Sequence, residues 1–368
     1  MWTIPTLGLL VSSIRPREDI GNSGWWTVLP HQEWVQVGEV KLDLPPANGQ
    51  TVPDRIRASL ANGILVNGNQ VSVTYEQLIA GHKLPNGQQI RLTRPREGLV
   101  AVQEQKIVAN TNFTLDNYQG VLTGEQKRAD GTVIKVQTDD MGGAFVNSLV
   151  VAIPATVIPI LIAAFAAYAF AWMDFRGRHW LFIGVLAMMA VPIQMTLVPL
   201  QQFYSNGAHL TIAGTTYVVF PDLDLNNKPI AVWLAHTAFG LPLAIYLLHN
   251  YIASLPRDVF EAARIDGATH FGIFWRIVLP LARPAIAAFA IFQFLWVWND
   301  YLVALIFLSQ NKDASPLTVQ LVNLVTSRGQ GTELLPAAAF ISMVVPLIIF
   351  FSLQRYFVRG LLAGSVKG

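Results

Sequence analysis

The chain has 368 residues, of which 52% are hydrophobic and 13% charged, and its mean hydropathy is +0.42. Soluble domains carry about 25% charged residues, so this composition argues against a purely water-soluble protein. The formal net charge of +2 is too small to indicate a nucleic-acid partner. The absence of cysteine excludes disulfides, thiolate metal sites and a cysteine nucleophile.

The charged residues are distributed unevenly along the chain. Residues 1–143 hold 13 Lys/Arg and 14 Asp/Glu, whereas the remaining residues hold only 12 and 9. We therefore expect an ordinary polar domain first and a membrane-embedded region over residues 144–360.

The chain begins with an apolar segment, Met1–Val11, which is too short to cross a hydrocarbon core about 30 Å thick. It also lacks the basic flank and the cleavage site of a signal peptide. One interpretation is a signal-like start. The other, which we favour, makes residues 1–12 the end of a first spanning helix and predicts roughly 10–30 further residues upstream.

Between Arg15 and Gly143 the pattern changes to short alternating runs separated by turn residues. The runs are Gly63–Gln70, Val71–Tyr75 and Leu99–Val108, and the dipeptides Asn67-Gly68 and Asn86-Gly87 are typical of hairpin turns. The segment 13–143 is therefore predicted to contain a small β-rich domain.

Membrane-spanning helices need about 20 consecutive apolar residues with few charges. Four segments meet this requirement, and a fifth does so apart from the single charge of Asp300. The four are Ser148–Trp172, Trp180–Gln202, Pro229–Ile252 and Leu334–Gln354, and the fifth is Ala285–Leu308. Their prolines would break helices in a soluble protein but are tolerated in a packed membrane bundle.

The Lys and Arg residues of the short connections predict the orientation of these helices. One set of connections carries nine of them and the alternate set carries three. The nine are Arg176, Arg178, Arg257, Arg264, Arg276, Arg283, Arg355, Arg359 and Lys367, against Lys228, Lys312 and Arg328. The nine mark the cytoplasm, so the C-terminus is predicted inside and residues 13–143 in the periplasm.

Motifs for catalysis and metal binding are missing from the sequence. It contains no phosphate-binding Gly-x-x-x-x-Gly-Lys-Ser/Thr, no His-Glu-x-x-His and no Gly-x-Ser-x-Gly. Asp222-x-Asp224-x-Asn226 begins like a calcium loop, but Asn227 and Trp233 stand where glycine and an acid are needed. We predict neither a catalytic residue nor a metal site.

The connection over residues 253–284 is the most informative part of the sequence. Asp258, Glu261, Ala262, Ala263 and Ile265 suit a short amphipathic helix with an acidic first turn. Gly267 then permits a sharp change of direction. On physical grounds alone, a juxtamembrane surface helix and a docking element for a partner remain equally open.

The spacing of this connection resembles the EAA loop of binding-protein-dependent ABC importer permeases. Glu261-Ala262-Ala263, three residues, Gly267, nine residues and Ile277-x-Leu279-Pro280 match every signature position. Further stretches resemble the sugar permeases of this family: FTLDNY (113–118), Asn147-Ser148, Trp298-Asn299-Asp300-Tyr301 and LAGSVKG (362–368), the last similar to the tail of the maltose-type second permease subunit.

The resemblance implies an all-α polytopic membrane protein with the type I ABC importer fold and six core spans, the first incomplete here. It implies a coupling helix that docks on a cytoplasmic ATPase, and a C-terminal tail (361–368) that reaches towards the ATPase dimer. The residues implied in coupling are Glu261, Ala262, Ala263, Asp266, Gly267, Ile277, Leu279 and Pro280, and those of the tail contact are Gly364, Lys367 and Gly368.

The resemblance also implies the partners and the substrate class. The partners are a second permease subunit, two copies of an ATPase that binds the ATP and Mg²⁺, a periplasmic solute-binding protein, membrane lipid and a sugar. No cofactor is expected in this chain. The extra residues 32–111 are similar to an insertion of alpha-glucoside permeases, which import maltose, sucrose or trehalose.

The fifth predicted span carries a polar stripe. Gln293, Trp296 and Asp300 are spaced to share one helical face, with Asn299 beside them. An aromatic ring with amide and carboxylate groups suits a sugar pathway. The alternative is that Asp300 sits near a kink and only caps or pairs with neighbouring helices.

Two alternatives to an ABC permease are a secondary transporter and a membrane-anchored periplasmic protein. A secondary transporter would be expected to carry coupling carboxylates in several spans, whereas the complete spans here contain one acid, Asp300. A membrane-anchored periplasmic enzyme or binding module in residues 13–143 would need a site that the sequence does not reveal. The EAA spacing favours an ABC permease.

Overall fold

The computed structural model describes residues 3–46, 49–61, 63–127, 132–135, 141–212, 215–308, 311–326 and 332–365. The elements of the first part are short. They are α1 (Thr3–Ser13), α2 (Arg17–Asn22), β1 (His31–Lys41), α3 (Val52–Ser59), β2 (Ile64–Val66), β3 (Asn69–Val71), α4 (Tyr75–Ala80), β4 (His82–Lys83), β5 (Gln89–Arg94), β6 (Leu99–Val108), α5 (Asp116–Thr123), β7 (Glu125–Lys127) and β8 (Val133–Lys135).

The second part is dominated by long helices. Its elements are α6 (Met141–Trp172), α7 (Arg178–Met188), α8 (Ile193–Asn206), β9 (Ala208–Ile212), β10 (Thr215–Phe220), α9 (Pro229–Ala253), α10 (Arg257–Ile265), α11 (His270–Ile273), a π-helical turn (Phe274–Val278), α12 (Leu279–Trp298), α13 (Leu302–Leu308), α14 (Leu317–Thr326) and α15 (Leu335–Ser365).

The chain divides into two compact units. Met1–Arg17 and Thr114–Gly368 form the helical unit, and Glu18–Phe113 form the β-rich unit.

The β-rich unit is built on an antiparallel sheet with strand order β1-β6-β5-β4. Its first and last strands pair from His31↔Val108 to Lys41↔Leu99, so the two ends of the unit lie side by side, as expected of an inserted domain. The predicted hairpin is present: β2 pairs with β3, and the turn residues Asn67 and Gly68 both have positive φ. The prediction of a small β-rich region is therefore confirmed.

Four helical stretches among the described residues are long and apolar enough to cross a membrane. They are Met141–Trp172, Pro229–Ala253, His270–Trp298 and Leu335–Gln354. The predicted span Trp180–Gln202 is not one straight helix, because α7 and α8 meet at an angle of 103°. Pro192 at this corner is extended, and proline disfavours helical geometry in the residue before it.

The predicted span Ala285–Leu308 also needs correction. Its helix begins earlier, at His270, and α12 ends at Trp298, where Asn299–Tyr301 interrupt the helical backbone before α13. The Asp300 carboxylate accepts hydrogen bonds from the backbone N–H groups of Val303 and Ala304, at 2.9 and 3.3 Å. Asp300 therefore serves as the N-cap of α13, a position with non-helical backbone, so α12 does not continue through it.

Proline residues leave some carbonyl groups in the spans without a donor from their own helix. Side chains of neighbouring helices donate hydrogen bonds to these carbonyls instead. Proline has no N–H to give to the carbonyl four residues earlier. Those carbonyls belong to Val150 before Pro154, Ala155 before Pro159 and Ser342 before Pro346. They accept hydrogen bonds from Trp233 Nε1 at 2.9 Å, Gln293 Nε2 at 3.2 Å and Trp298 Nε1 at 2.9 Å, respectively.

Two of the motifs noted in the sequence hold the ends of shorter helices. Asn117 Nδ2 donates to the carbonyls of Ser13 and Arg15 at the end of α1. Ser148 Oγ in α6 accepts from the N–H of Leu317 at 2.8 Å, where α14 begins. Both contacts satisfy helix-terminal groups that have no partner within their own helix.

We predict that Trp298→Phe destabilises the protein by about 1 kcal/mol, because the Ser342 carbonyl loses its donor inside an apolar bundle. Pro346→Ala restores a backbone N–H to that carbonyl, so Trp298→Phe should cost measurably less in the Pro346→Ala background. Unfolding midpoints of the four proteins in detergent micelles give the comparison. Equal costs in both backgrounds would contradict this role of Trp298.

Candidate functional site

The loop between α9 and α12 presents part of its signature to solvent. In α10, the side chains of Phe260 and Ala263 are buried, whereas Glu261 and Ala262 are exposed. Ile265, at the end of the helix, is 85% exposed. Glu261, Ala262 and Ile265 therefore share one exposed face of α10.

Gly267 ends α10 in the left-handed conformation, at the position where the sequence predicted a sharp change of direction. Its φ is +76°, its N–H donates to the carbonyl of Arg264 at 3.0 Å, and the N–H of Ala268 donates to the carbonyl of Ala263 at 2.9 Å. This pair of bonds is a Schellman motif. No atom of the described residues lies within 4 Å of the position that a Cβ at Gly267 would take, so the constraint is on backbone conformation and not on space. Asp266 precedes it and is exposed.

The remaining signature residues lie elsewhere. Ile277, Leu279 and Pro280 follow α11 and are half-buried at the start of α12. Ile277 and Leu279 pack on the core cluster that contains Phe260 and Val278. The signature therefore joins two parts: Glu261, Ala262, Asp266 and Gly267 on an exposed turn, and three residues that hold the loop to the bundle.

The last turn of α6 packs against the loop that contains α10 and α11. The sequence did not predict this contact. The rings of Trp172 and Phe260 are stacked, with centroids 3.9 Å apart and planes inclined by 13°. Arg264 Nη2 donates to the Trp172 carbonyl at 3.2 Å. One turn earlier, Tyr168 Oη and His270 Nδ1 share a hydrogen bond of 2.9 Å.

A cavity of about 480 Å³ opens between the bent pair α7–α8 and the helices α9 and α12. Its lining is mainly apolar, and its polar groups include those of Thr196 and Gln293. Trp296 presents a half-buried aromatic ring to it. The structure thus brings Gln293 and Trp296 of the predicted stripe to one cavity.

Gln293 lies at the back of this cavity and links three helices. Its side chain is fully buried, and Nε2 faces the carbonyl of Ala155 in α6 and that of His236 in α9, at 3.2 and 3.5 Å. Gly240 permits the approach, since a Cβ there would lie 2.6 Å from Gln293 Oε1. The Gln293 amide therefore cross-links α12 to α6 and α9.

Gln293, Trp296 and Asp300 all approach His236 of α9, as expected of one helical face, but the helix does not continue through Asn299 and Asp300. Asn299 is exposed, and its Nδ2 donates to the carbonyl of Leu295 at 2.7 Å. Asp300 caps α13, and its Oδ2 lies 3.7 Å from Nε2 of the buried His236. Neither residue lines the cavity between α7–α8, α9 and α12. The geometry therefore favours the alternative in which Asp300 caps and pairs with neighbouring helices.

Of the three tail residues predicted to contact the ATPase, the structure describes one. Gly364 lies in the last turn of α15, and Lys367 and Gly368 lie outside the described residues.

The β-rich unit contains a shallow groove that includes Arg57, Tyr75, Glu76 and Gln77. Arg57 donates to Glu76 Oε1 at 2.8 Å and lies over the ring of Tyr75. This hydrogen bond holds the pKa of Glu76 below its usual range. These two charges satisfy each other, and the described part of the chain holds no group of three or more His, Asp or Glu side chains that could bind a metal.

Comparison with known proteins identifies relatives of the whole chain. Residues 145–362 match the family described as binding-protein-dependent transport system inner membrane component. The chain is 45% identical to the alpha-glucoside transport system permease protein AglG of Rhizobium meliloti, covering 100% of this chain and 94% of AglG. It is also 45% identical to the osmoprotective compounds uptake permease protein GgtD of Synechocystis, covering 100% of this chain and 88% of GgtD.

A solved structure shows the same fold. It is a bacterial ABC transporter involved in the import of the acidic polysaccharide alginate, with a TM-score of 0.51 and 20% identity over 68% of this chain and 82% of that one. The expected type I ABC importer fold of the helical unit is thereby confirmed.

Asp300 allows a test between its two interpretations. Asn caps helices about as well as Asp, so we predict that Asp300→Asn keeps both stability and transport near the unaltered values. Asp300→Ala should lower the unfolding free energy by about 1 kcal/mol, because it removes the cap of α13. Thermal unfolding and uptake in proteoliposomes measure both. A stable Asp300→Asn protein that does not transport would show that the charge itself serves the pathway.

Proposed function

Since the chain belongs to the binding-protein-dependent transport system inner membrane component family and is the permease subunit of an ABC sugar importer, we propose that its substrates are alpha-glucosides. Such permeases are multi-pass proteins of the inner membrane and are not enzymes, because ATP is hydrolysed by a separate subunit. The observation that carries the proposal is the 45% identity to AglG along the entire chain, including the β-rich unit.

The equal identity to GgtD supports a second candidate substrate, an osmoprotective compound. The two candidates differ in what the solute-binding protein must recognise. The deciding experiment is ATP-dependent uptake by the complete reconstituted complex, with maltose, sucrose, trehalose and a panel of osmoprotective solutes. Sucrose and trehalose are also osmoprotective solutes, so maltose separates the candidates: its uptake supports the first, and uptake of osmoprotective solutes without maltose supports the second.

The exposed face of α10 is proposed as the contact with the ATPase. Glu261, Ala262 and Ile265 are the exposed residues that support it, and the tail residues Gly364, Lys367 and Gly368 are proposed to add a second contact. ATP and Mg²⁺ bind to the ATPase dimer, and this chain supplies no cofactor site of its own. A second permease subunit forms the other half of the pathway.

The cavity between α8, α9 and α12 is proposed as this chain's part of the sugar pathway. A ring such as that of Trp296 offers an apolar face to a pyranose, and Thr196 offers a hydroxyl. Gln293 supports this wall through its contacts with α6 and α9.

The β-rich unit is proposed to face the periplasm and to contact the solute-binding protein or the neighbouring permease. The nine Lys and Arg residues of the connections predicted to be cytoplasmic, against three on the other side, support this orientation and a cytoplasmic C-terminus. Because β1 and β6 lie side by side, a short linker can replace the segment between His31 and Val108. Removal of this segment is expected to impair docking or assembly and to leave the helical unit folded.

Gly267 provides a test of the coupling turn. A β-branched residue is strained at a φ of +76°, so Gly267→Val should abolish uptake while the protein still inserts into the membrane. Gly267→Asn is the matched control, because Asn tolerates the left-handed conformation, and it should keep most of the uptake. If Gly267→Val transports as well as Gly267→Asn, the turn is not required for coupling.

Trp296 provides a test of the pathway. Trp296→Ala should lower uptake of the sugar while the amount of assembled complex and the basal ATP hydrolysis persist, because only the stacking surface is lost. Asn299→Ala is the control on a neighbouring residue outside the cavity and should transport normally. Uptake is measured in proteoliposomes under saturating ATP. Normal uptake by Trp296→Ala would remove this cavity from the pathway.

A further inference from the structure

We infer that Trp172, the last residue of α6, transmits movement between the exposed loop and the membrane bundle. This inference rests on the proposed coupling function of α10 and assigns a positioning role to a residue outside the EAA signature. The structure gives the reason in three separate contacts of this one residue, each with a different part of the chain.

The first contact is the ring stack with Phe260. Phe260 is 1% exposed and, with Ala263, is one of the two buried residues of α10. Its ring lies flat on that of Trp172, at 3.9 Å between centroids. Since α10 has so few inward-facing side chains, this stack carries much of its attachment to the bundle.

The second and third contacts use polar groups of Trp172. Its carbonyl, at the end of α6, accepts from Arg264 Nη2 in the last turn of α10, which satisfies an acceptor without a helical donor. Its indole Nε1 donates to the carbonyl of Ile252 at 3.1 Å, near the end of α9. Trp172 therefore connects α10 at two points and α9 at a third.

These contacts define a continuous path into the bundle. Only Ser254–Pro256 separate α9 from α10, and the Trp172 side chain contacts a residue on each side of that link, Ile252 and Phe260. Further along α6, Ala155 is joined to Gln293 and so to α12. A displacement of α10 by an ATPase would therefore move α6 and α9 together, and coupling carried by such packed contacts can be changed without changing either binding site.

The test uses the complete complex in proteoliposomes and measures sugar uptake, ATP hydrolysis and the amount of ATPase that copurifies. Trp172→Leu should lower the number of sugars carried per ATP about tenfold, while the copurified ATPase remains at the unaltered level. Trp172→Phe retains a ring for Phe260 and should recover most of the ratio. Trp180→Leu, at an exposed tryptophan of α7, is the matched control and should behave as the unaltered protein.

A double variant tests the path itself. If Trp172 and Phe260 act as one unit, the Trp172→Leu Phe260→Leu pair should lose no more coupling than either change alone. Multiplied losses would overturn the inference. So would a normal uptake-to-hydrolysis ratio in Trp172→Leu, or a parallel loss of uptake and copurified ATPase, which indicates a structural role.

Failure of the underlying function is distinguishable from failure of this inference. If the unaltered complex shows no ATP-dependent uptake of any solute in the panel, the proposed function is wrong. If the unaltered complex transports and Trp172→Leu transports with the same ratio, the function stands and the role of Trp172 is wrong.

Discussion

The helical unit depends on one constraint: inside the membrane, every backbone carbonyl needs a donor from the protein itself. Its spans nevertheless contain prolines, each of which removes one helical donor. Trp233, Gln293 and Trp298 supply donors from neighbouring helices to three of the freed carbonyls. The prolines would weaken isolated helices. In the bundle they help to specify the helix packing, because each freed carbonyl needs a donor side chain at one position on a neighbouring helix.

This constraint separates what the sequence could predict from what it could not. Hydropathy located the apolar segments, but it did not locate the 103° bend near Pro192 or the break in the helix at Asp300. The proline and the lone acid were visible signals of these breaks. Which helix Asp300 would cap, and that Gln293 would face α6, depend on tertiary neighbours that no local pattern contains.

The loop after α9 illustrates the same division. Its spacing predicted the family, and the turn at Gly267 followed from the chemistry of glycine. The sequence did not separate the exposed residues Glu261 and Ala262 from Ile277 and Leu279, which pack on the bundle. Nor did it reveal Trp172, whose only signal was an aromatic residue at the end of a span, as is common at membrane interfaces.

Cross-linking identifies the partner that contacts α10 in the assembled transporter. The chain contains no cysteine, so a single Ala262→Cys forms a unique cross-linking site on the exposed face, and Thr216→Cys in the exposed hairpin β9–β10 gives a control predicted to lie on the opposite side of the membrane. In the assembled transporter, we predict that a short thiol cross-linker joins Ala262→Cys to the ATPase subunit and leaves Thr216→Cys unlinked to it. A cross-link from Thr216→Cys to the ATPase, with none from Ala262→Cys, would contradict both the orientation and the coupling role of α10.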